Sequence, residues 1–118
     1  MRTMRKWQVA LLVACVSAAM PALAKLQQRP VEWQLDGTRY SGVLVFDDEG
    51  DGRRPGVVMV PNWRGVNASA IEKAGRIAGD VNVVLVADVY GSAVRPKDDA
   101  EAAAASRPLR ENRAVLRA

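Results

Sequence analysis

The fold is decided by two short apolar runs, Gly56-Val57-Val58-Met59-Val60 and Val81-Asn82-Val83-Val84-Leu85-Val86-Ala87. Neither run alternates regularly between apolar and polar residues, as a half-exposed strand does. Apolar runs of this length are typical of strands buried on both faces of a parallel sheet. A helical pattern lies between them, so the sequence predicts a strand–helix–strand unit of the α/β class.

The helix signals around these runs are capping motifs. Ser69-x-x-Glu72 is a capping box that predicts a helix start, and Gly79 is suited to end that helix. Its apolar face is predicted from positions three and four residues apart, which are Ile71, Ala74 and Ala78. Asp98-x-x-Glu101 predicts a second, alanine-rich helix, and Ser106 is predicted to cap a last helix with Pro108 in its first turn.

Upstream of the first run the sequence predicts a β-hairpin. Its strands are Val31–Leu35 and Arg39–Phe46, joined by Asp36-Gly37, a dipeptide suited to positive φ. The acidic segment 47–52 lacks the residue spacing of a calcium loop, so we interpret it as a solvated connection. The predicted order is β-hairpin, β, α, β, α, α. With only two candidate strands for the parallel core, we expect an incomplete sheet, the first part of a larger α/β domain.

Composition excludes several kinds of chemistry. The chain has 118 residues, 49% of them hydrophobic, with one Cys and no His. Without histidine these residues cannot assemble a Ser-His-Asp triad, a Cys-His pair or a His-containing zinc site. A single Cys excludes an internal disulfide and a Cys-rich metal cluster. We therefore predict neither a metal nor a cofactor.

Residues 1–24 have the pattern of a secretory signal peptide. Arg2, Arg5 and Lys6 form a cationic start, an uncharged stretch follows, and Ala22-Leu23-Ala24 supplies a small-x-small cleavage pattern before Lys25. Cleavage between Ala24 and Lys25 would export the protein to the periplasm or outside the cell. It would also remove three cations from a formal net charge of +4. The remaining residues 25–118 show no basic-aromatic pattern, so we predict no nucleic-acid partner.

Two alternatives to cleavage remain open. The uncharged residues 7–24 could nearly span a bilayer as a retained anchor, although Pro21 disfavours this. Leu12-Val13-Ala14 before Cys15 resembles a lipobox, which would make the product a lipoprotein anchored through Cys15. In each case we expect contact with a membrane only through the signal segment.

The segments 58–67 and 86–91 together resemble the dienelactone hydrolase family of α/β-hydrolases. They read Val-Met-Val-Pro-Asn-Trp-Arg-Gly-Val-Asn and Val-Ala-Asp-Val-Tyr-Gly. Arg95-Pro96 and the following Asp-, Glu- and Ala-rich helix continue the resemblance, which covers the chain from about Val31 onward. It implies the N-terminal half of an α/β-hydrolase fold, a β-hairpin followed by parallel βαβα with an incomplete sheet. The implied function is hydrolysis of a carboxylic ester or lactone.

The resemblance also implies roles for the loop after the first apolar run. In α/β-hydrolases this loop gives a backbone N–H to the oxyanion hole. That donor would be the N–H of Trp63, with Asn62 beside it and Gly65 letting the loop backbone pass closely. The alternative is that Trp63 packs and Gly65 turns the chain, and both interpretations can hold together. Weaker substrate contacts are implied for Asn62, Arg64 and Tyr90.

Two departures from the family pattern affect the substrate. Members that act on dienelactone carry an acidic residue at the position of Asn62 and an arginine near the position of Ser92. Dienelactone itself is thus not expected, and another ester, lactone or acyl compound is. Arg64 or Arg95 could replace the missing cation, although a solvated arginine is the commoner case. Asp88, at a strand end, could be functional, but we expect it to hydrogen-bond the turn that follows.

No catalytic residue is predicted within this sequence. The nucleophile of the fold sits in a G-x-[SC]-x-G elbow that is followed by Asp and His, and neither that elbow nor a His occurs here. We therefore expect a fragment that is inactive alone. One alternative is a non-catalytic exported module that pairs its unfinished sheet with another chain through an unpaired apolar strand, Val81–Ala87. The other is half of a split hydrolase, completed by a separate C-terminal half.

Overall fold

The computed structural model describes residues 25–49 and 52–117. The predicted signal, including Cys15 and Ala24, lies outside these residues, and Lys25 is the first of them and is exposed. The strands are β1 (Leu26–Leu35), β2 (Thr38–Asp47), β3 (Gly56–Met59) and β4 (Val83–Val86), and the helices are α1 (Ala68–Ala78) and α2 (Asp99–Glu111), followed by a short 3-10 helix (Arg113–Arg117). The strands form one mixed sheet in the order β1-β2-β4-β3. The α/β class is therefore confirmed.

The hairpin forms around the predicted turn. Asp36 and Gly37 have φ values of 46° and 79°, and two successive positive φ values match the right-handed twist of paired strands. The register places Leu35 opposite Thr38 and Gln28 opposite Val45. β1 begins earlier than predicted because backbone pairing with β2 continues to Leu26, where the sequence no longer alternates.

The second apolar run lies in the middle of the sheet. β4 pairs antiparallel with β2 and parallel with β3, and Val84 and Val86 are fully buried. The expectation that Val81–Ala87 is an unpaired strand is therefore wrong, because it has a partner on each side. β1 and β3 are the edge strands of the described sheet, and Val58 in β3 is 67% exposed. Apolar composition predicts burial of a strand but does not distinguish a central strand from an edge strand.

Helix α1 covers one face of this sheet. Ala74 and Ala78 are completely buried and Ile71 packs beside them, as the spacing predicts. The cap differs from the prediction: Asn67, not Ser69, is the N-cap, and its Oδ1 accepts from the N–H of Ala70 at 2.9 Å. Asparagine caps at least as well as serine, so the earlier polar residue begins the helix.

Helix α2 is one continuous helix where two were predicted. Asp98 caps it as expected, accepting from the N–H of Glu101 at 2.8 Å, while Glu101 accepts from the N–H of Lys97 at 2.8 Å. Ser106 does not cap a new helix, because its hydroxyl donates to the carbonyl of Ala103 within the same helix. Pro108 lies inside the last turns, which removes one backbone donor without ending the helix. Among the described residues no helix is long and apolar enough to cross a membrane.

Candidate functional site

Two loops meet at one edge of the sheet because β3 and β4 are parallel. Residues 60–67 follow β3, and residues 87–98 follow β4. The carboxyl ends of neighbouring parallel strands are where α/β proteins bind their ligands. All residues assigned to a site from the sequence lie in these two loops, apart from the cleavage pair Ala24 and Lys25.

The loop after β3 is folded on itself by two hydrogen bonds. The Oδ1 of Asn62 accepts from the N–H of Arg64 at 2.9 Å, and the carbonyl of Asn62 accepts from the N–H of Gly65 at 2.9 Å. Gly65 is buried with a φ of 72°, a conformation that glycine adopts without steric cost. The interpretation of Gly65 as a turn residue agrees with this geometry.

The turn fixes the direction of the Trp63 N–H. This N–H shares a peptide unit with the carbonyl of Asn62, and every described peptide bond is trans, so the two groups point in opposite directions. With the carbonyl turned toward Gly65, the N–H is directed out of the turn. Within residues 25–49 and 52–117 it donates no hydrogen bond, and the Trp63 side chain is 44% exposed. A free backbone donor thus lies just beyond the end of β3.

Tyr90 joins the two loops. Its hydroxyl donates to the carbonyl of Trp63 at 2.8 Å, and its ring lies against Gly65, where an added Cβ would come within 3.2 Å of it. Burial raises the pKa of Tyr90 above its usual value of 10.0, and the positive charge of Arg110 opposes part of that rise. The hydroxyl therefore stays protonated, and able to donate, throughout the neutral range.

Asp88 anchors the loop after β4. Its side chain is 1% exposed, and it pairs with Arg95 at 3.2 Å. One carboxylate oxygen accepts from the N–H groups of Tyr90 and Gly91 at 3.0 and 3.1 Å, and the other accepts from the N–H of Ser41 in β2 at 3.0 Å. The expectation that Asp88 bonds the following turn is confirmed. The bond to β2, distant in sequence, was not foreseen.

The two candidate cations are both bound within the protein. Arg95 contacts Asp88 and also donates to the carbonyls of Ser41 and Gly91 at 3.0 and 2.9 Å. Arg64 pairs with Asp99 in the first turn of α2, and it donates to the carbonyl of Lys97 at 3.3 Å. Arg95 is thus a partly exposed side chain whose charge is paired with Asp88.

A mostly apolar groove of about 440 Å³ runs between the two loops and α2. The loops contribute Val60, Asn62, Trp63 and Tyr90 to its lining, and α2 contributes Ser106, Leu109 and Arg110. The α2 residues were not predicted from the sequence to line a site. Their spacing of three and four places them on one helix face, which was the available signal. Within the described residues, no group of three or more metal-ligating side chains is placed to bind an ion.

The sequence model of the dienelactone hydrolase family matches residues 41–118. This range contains both loops, the groove and the Asp88 anchor. The chain belongs to the dienelactone hydrolase family. No curated protein sequence matches it.

Solved structures related to the dienelactone hydrolase family share the fold. One, named m3DLH, has a TM-score of 0.69 and 30% sequence identity. Another, a crystal structure of a dienelactone hydrolase-like promiscuous phosphotriesterase from metagenomic libraries, has a TM-score of 0.71 and 33% identity. Each match covers 78% of this chain and 38% of the other. The chain therefore spans well under half the length of these structures, and it forms part of their fold.

Proposed function

We propose that this chain contributes the oxyanion-binding part of a hydrolase that acts on a carboxylic ester or lactone. The free N–H of Trp63, held at the end of β3 by the Asn62–Gly65 turn, carries this proposal. Membership in the dienelactone hydrolase family supports the same reaction class. The family match alone assigns no role to a particular residue, so the role of Trp63 rests on its geometry.

The proposed chemistry needs a donor that is in place before the reaction begins. When a nucleophile attacks the ester carbonyl, the carbonyl oxygen gains negative charge, which the Trp63 N–H would stabilise. One such donor is worth about 2.7–4 kcal/mol of transition-state stabilisation. In α/β-hydrolases the second donor is the N–H that follows the nucleophile. We propose that this N–H, a Ser or Cys nucleophile, the Asp and the His come from polypeptide outside these 118 residues.

The groove supports a substrate with an apolar portion. Trp63 and Val60 offer apolar surface there, and Asn62 is the exposed polar side chain nearest the proposed donor. Arg64 pairs with Asp99 of α2, so a substrate contact by Arg64 would compete with this ion pair. Without an acidic residue at Asn62 or an arginine at Ser92, dienelactone remains outside the proposed substrates. The related metagenomic protein is described as a phosphotriesterase, so phosphotriesters are a second class to assay.

An exposed strand edge supports a further strand partner, which the split-hydrolase alternative would supply as a separate C-terminal half. Among the described strands β3 has a partner on one side only, and Val58 and Val60 are 67% and 64% exposed. An apolar edge of this kind is a template for another strand. We propose that polypeptide outside this sequence pairs with β3, whether it is encoded in the same gene or separately. The same edge would serve a non-catalytic module, and we propose export through the signal at residues 1–24 in all three cases.

The first experiment reads the gene beyond codon 118 in all three frames and searches its neighbourhood for a separate second half. We expect a G-x-[SC]-x-G segment followed by Asp and His. The extended or complemented protein should hydrolyse 4-nitrophenyl butyrate, whereas the 118-residue chain should not exceed the buffer rate. Finding no such segment, or turnover by the 118-residue chain itself, would overturn the proposal.

The donor is tested in the active protein by two substitutions of one residue. Trp63→Pro removes the N–H and should lower kcat by about 10²- to 10³-fold. Trp63→Ala removes only the side chain and keeps the N–H, so it is the matched control and should retain most of kcat. Circular dichroism verifies that both variants fold. Equal loss of kcat in the two variants would assign the effect to the side chain and contradict the backbone donor.

A further inference from the structure

We propose that Tyr90 is a positioning residue that sets the orientation of the Trp63 backbone, rather than a residue that binds substrate. This inference rests on the proposed function, because the orientation matters most if the Trp63 N–H meets an oxyanion. It reassigns Tyr90, for which the family resemblance implied a substrate contact.

The two peptide units that flank Trp63 are held by different hydrogen bonds. The preceding unit is fixed within the loop, by the hydrogen bond from Gly65 to the carbonyl of Asn62. The following unit is held from both sides: its N–H, that of Arg64, donates to the Oδ1 of Asn62 within the loop, and its carbonyl accepts from the hydroxyl of Tyr90 outside the loop. The Trp63 N–H belongs to the preceding unit, so its direction relative to the rest of the loop depends on how firmly both units are held. Tyr90 therefore adds a restraint that joins the Trp63 backbone to the loop after β4.

The Tyr90 ring restrains the same loop at a second point. The ring lies close enough to Gly65 that a Cβ there would be 3.2–3.3 Å from two ring carbons. The ring and the hydroxyl thus contact both ends of the short segment Trp63–Gly65. A side chain that makes both contacts has little freedom to turn toward a substrate.

The Tyr90 backbone is itself firmly held. Its N–H donates to the buried carboxylate of Asp88, which Arg95 neutralises. The same carboxylate accepts from Ser41 in β2. Hydrogen bonds to a buried charged group are among the stronger ones in proteins. The end of β4 therefore serves as a base from which Tyr90 fixes the loop after β3.

Deprotonation of the Tyr90 hydroxyl at high pH removes the hydrogen bond but keeps the ring, so it distinguishes the effect of the hydroxyl from the effect of ring packing. A neutral phenol donates to the Trp63 carbonyl, whereas a phenolate repels it. Burial raises the pKa of Tyr90 above 10.0, and Arg110 of α2 opposes the rise. The other charged group close to Tyr90 is Asp88, paired with Arg95, which binds the Tyr90 backbone. The restraint should therefore persist above pH 10 and be lost as the pH passes the raised pKa.

The test uses NMR on the isotopically labelled 118-residue chain. Tyr90→Phe keeps the ring and removes only the donor, and we expect amide exchange at Gly65 to become about two- to tenfold faster, the range that corresponds to losing one hydrogen bond. The exchange rate at Ala70, whose N–H is bound by Asn67, should not change. Tyr40→Phe is the matched control, since Tyr40 stacks on Trp33 in the hairpin, with ring centroids 5.7 Å apart, and lies outside the groove lining.

A second measurement follows the carbon-13 shift of the Trp63 carbonyl with pH. In the unsubstituted chain we expect this shift to titrate with a midpoint above pH 10. Arg110→Gln should move the midpoint higher, and Tyr90→Phe should abolish the titration. Either of two results would overturn the positioning role while leaving the hydrolase proposal intact. One is a carbon-13 shift of the Trp63 carbonyl that does not change with pH, and the other is an amide exchange rate at Gly65 that Tyr90→Phe does not change.

In the active protein, Tyr90→Phe should lower kcat by about two- to tenfold and leave KM nearly unchanged. A rise in KM with unchanged kcat would instead indicate a substrate contact and overturn the inference. If the hydrolase proposal were wrong and the positioning role correct, the NMR changes would be present, but no extended or complemented protein would hydrolyse an ester.

Discussion

The loops after β3 and β4 leave the same edge of the sheet but are held in opposite ways. The loop after β4 is built around the carboxylate of Asp88, which is buried and bonded to three backbone N–H groups and to Arg95. The loop after β3 is held at its surface, by its own turn, by one bond from Tyr90 and by the contacts of Arg64 with Lys97 and Asp99, and Trp63 stays 44% exposed. The comparison shows how the firmly bonded loop after β4 can position the loop after β3 through Tyr90, while the Trp63 N–H of the second loop makes no hydrogen bond within the described residues.

The largest expected effect comes from breaking the rigid loop. Asp88→Ala leaves the Arg95 guanidinium and the N–H groups of Ser41 and Tyr90 without their acceptor, and it should lower the free energy of unfolding by about 3 kcal/mol. Urea denaturation followed by circular dichroism measures this change. Asp80→Ala, at an exposed position, is the control and should stay within about 0.5 kcal/mol. Equal stabilities for the two variants would mean that the Asp88 contacts do not hold the loop.

A smaller effect is expected from straining the open loop. Gly65→Ala places a Cβ at a φ of 72° and within 3.2 Å of the Tyr90 ring, and it should cost about 2 kcal/mol. Gly56→Ala is the matched control, because Gly56 has no atom within 4 Å of an added Cβ. There the stability should be unchanged or raised by up to about 1 kcal/mol. If Gly65→Ala were as stable as Gly56→Ala, the left-handed turn would not be required.

The smallest effect sharpens where the open loop ends. Asn67→Ala removes the observed N-cap of α1 and should cost about 1 kcal/mol, whereas Ser69→Ala should cost less than about 0.5 kcal/mol. The two thermal unfolding midpoints, measured in the same buffer, decide between the caps. A larger fall of the unfolding midpoint in Ser69→Ala than in Asn67→Ala would indicate that Ser69 is the N-cap and that the loop ends two residues later.

Local patterns predicted most of the architecture. Asp36-Gly37, the two apolar runs and the spacing of Ala74 and Ala78 each specify an element through backbone or burial preferences that act over a few residues. The pairing order of the strands could not be obtained in this way. Val81–Ala87 and the run at Gly56 have the same apolar character, and only the pairing with β2 decides that the former is central. The cap at Asn67 was missed because two polar residues competed for one helix start.

The sequence predicted which loop forms the candidate site, but it did not predict the hydrogen bonds that hold this loop. The resemblance located Asn62, Trp63 and Gly65, and the structure adds that a free N–H lies among them. The bonds that hold this loop join residues far apart in the chain, such as Tyr90 with Trp63 and Asp88 with Ser41. Sequence spacing contains no information about such pairs, which is why the ion pairs of Arg64 with Asp99 and of Arg95 with Asp88 were not predicted.

The strand at the centre of the sheet is also the last of the four along the chain. β2 and β3 do not pair with each other, because β4 lies between them and pairs with both. During synthesis, the sheet beyond the first hairpin cannot close until Val83–Val86 has emerged, and pairs as distant as Val43 and Val86 form slowly. The strand order thus makes closure of the sheet depend on contacts between residues far apart in the chain.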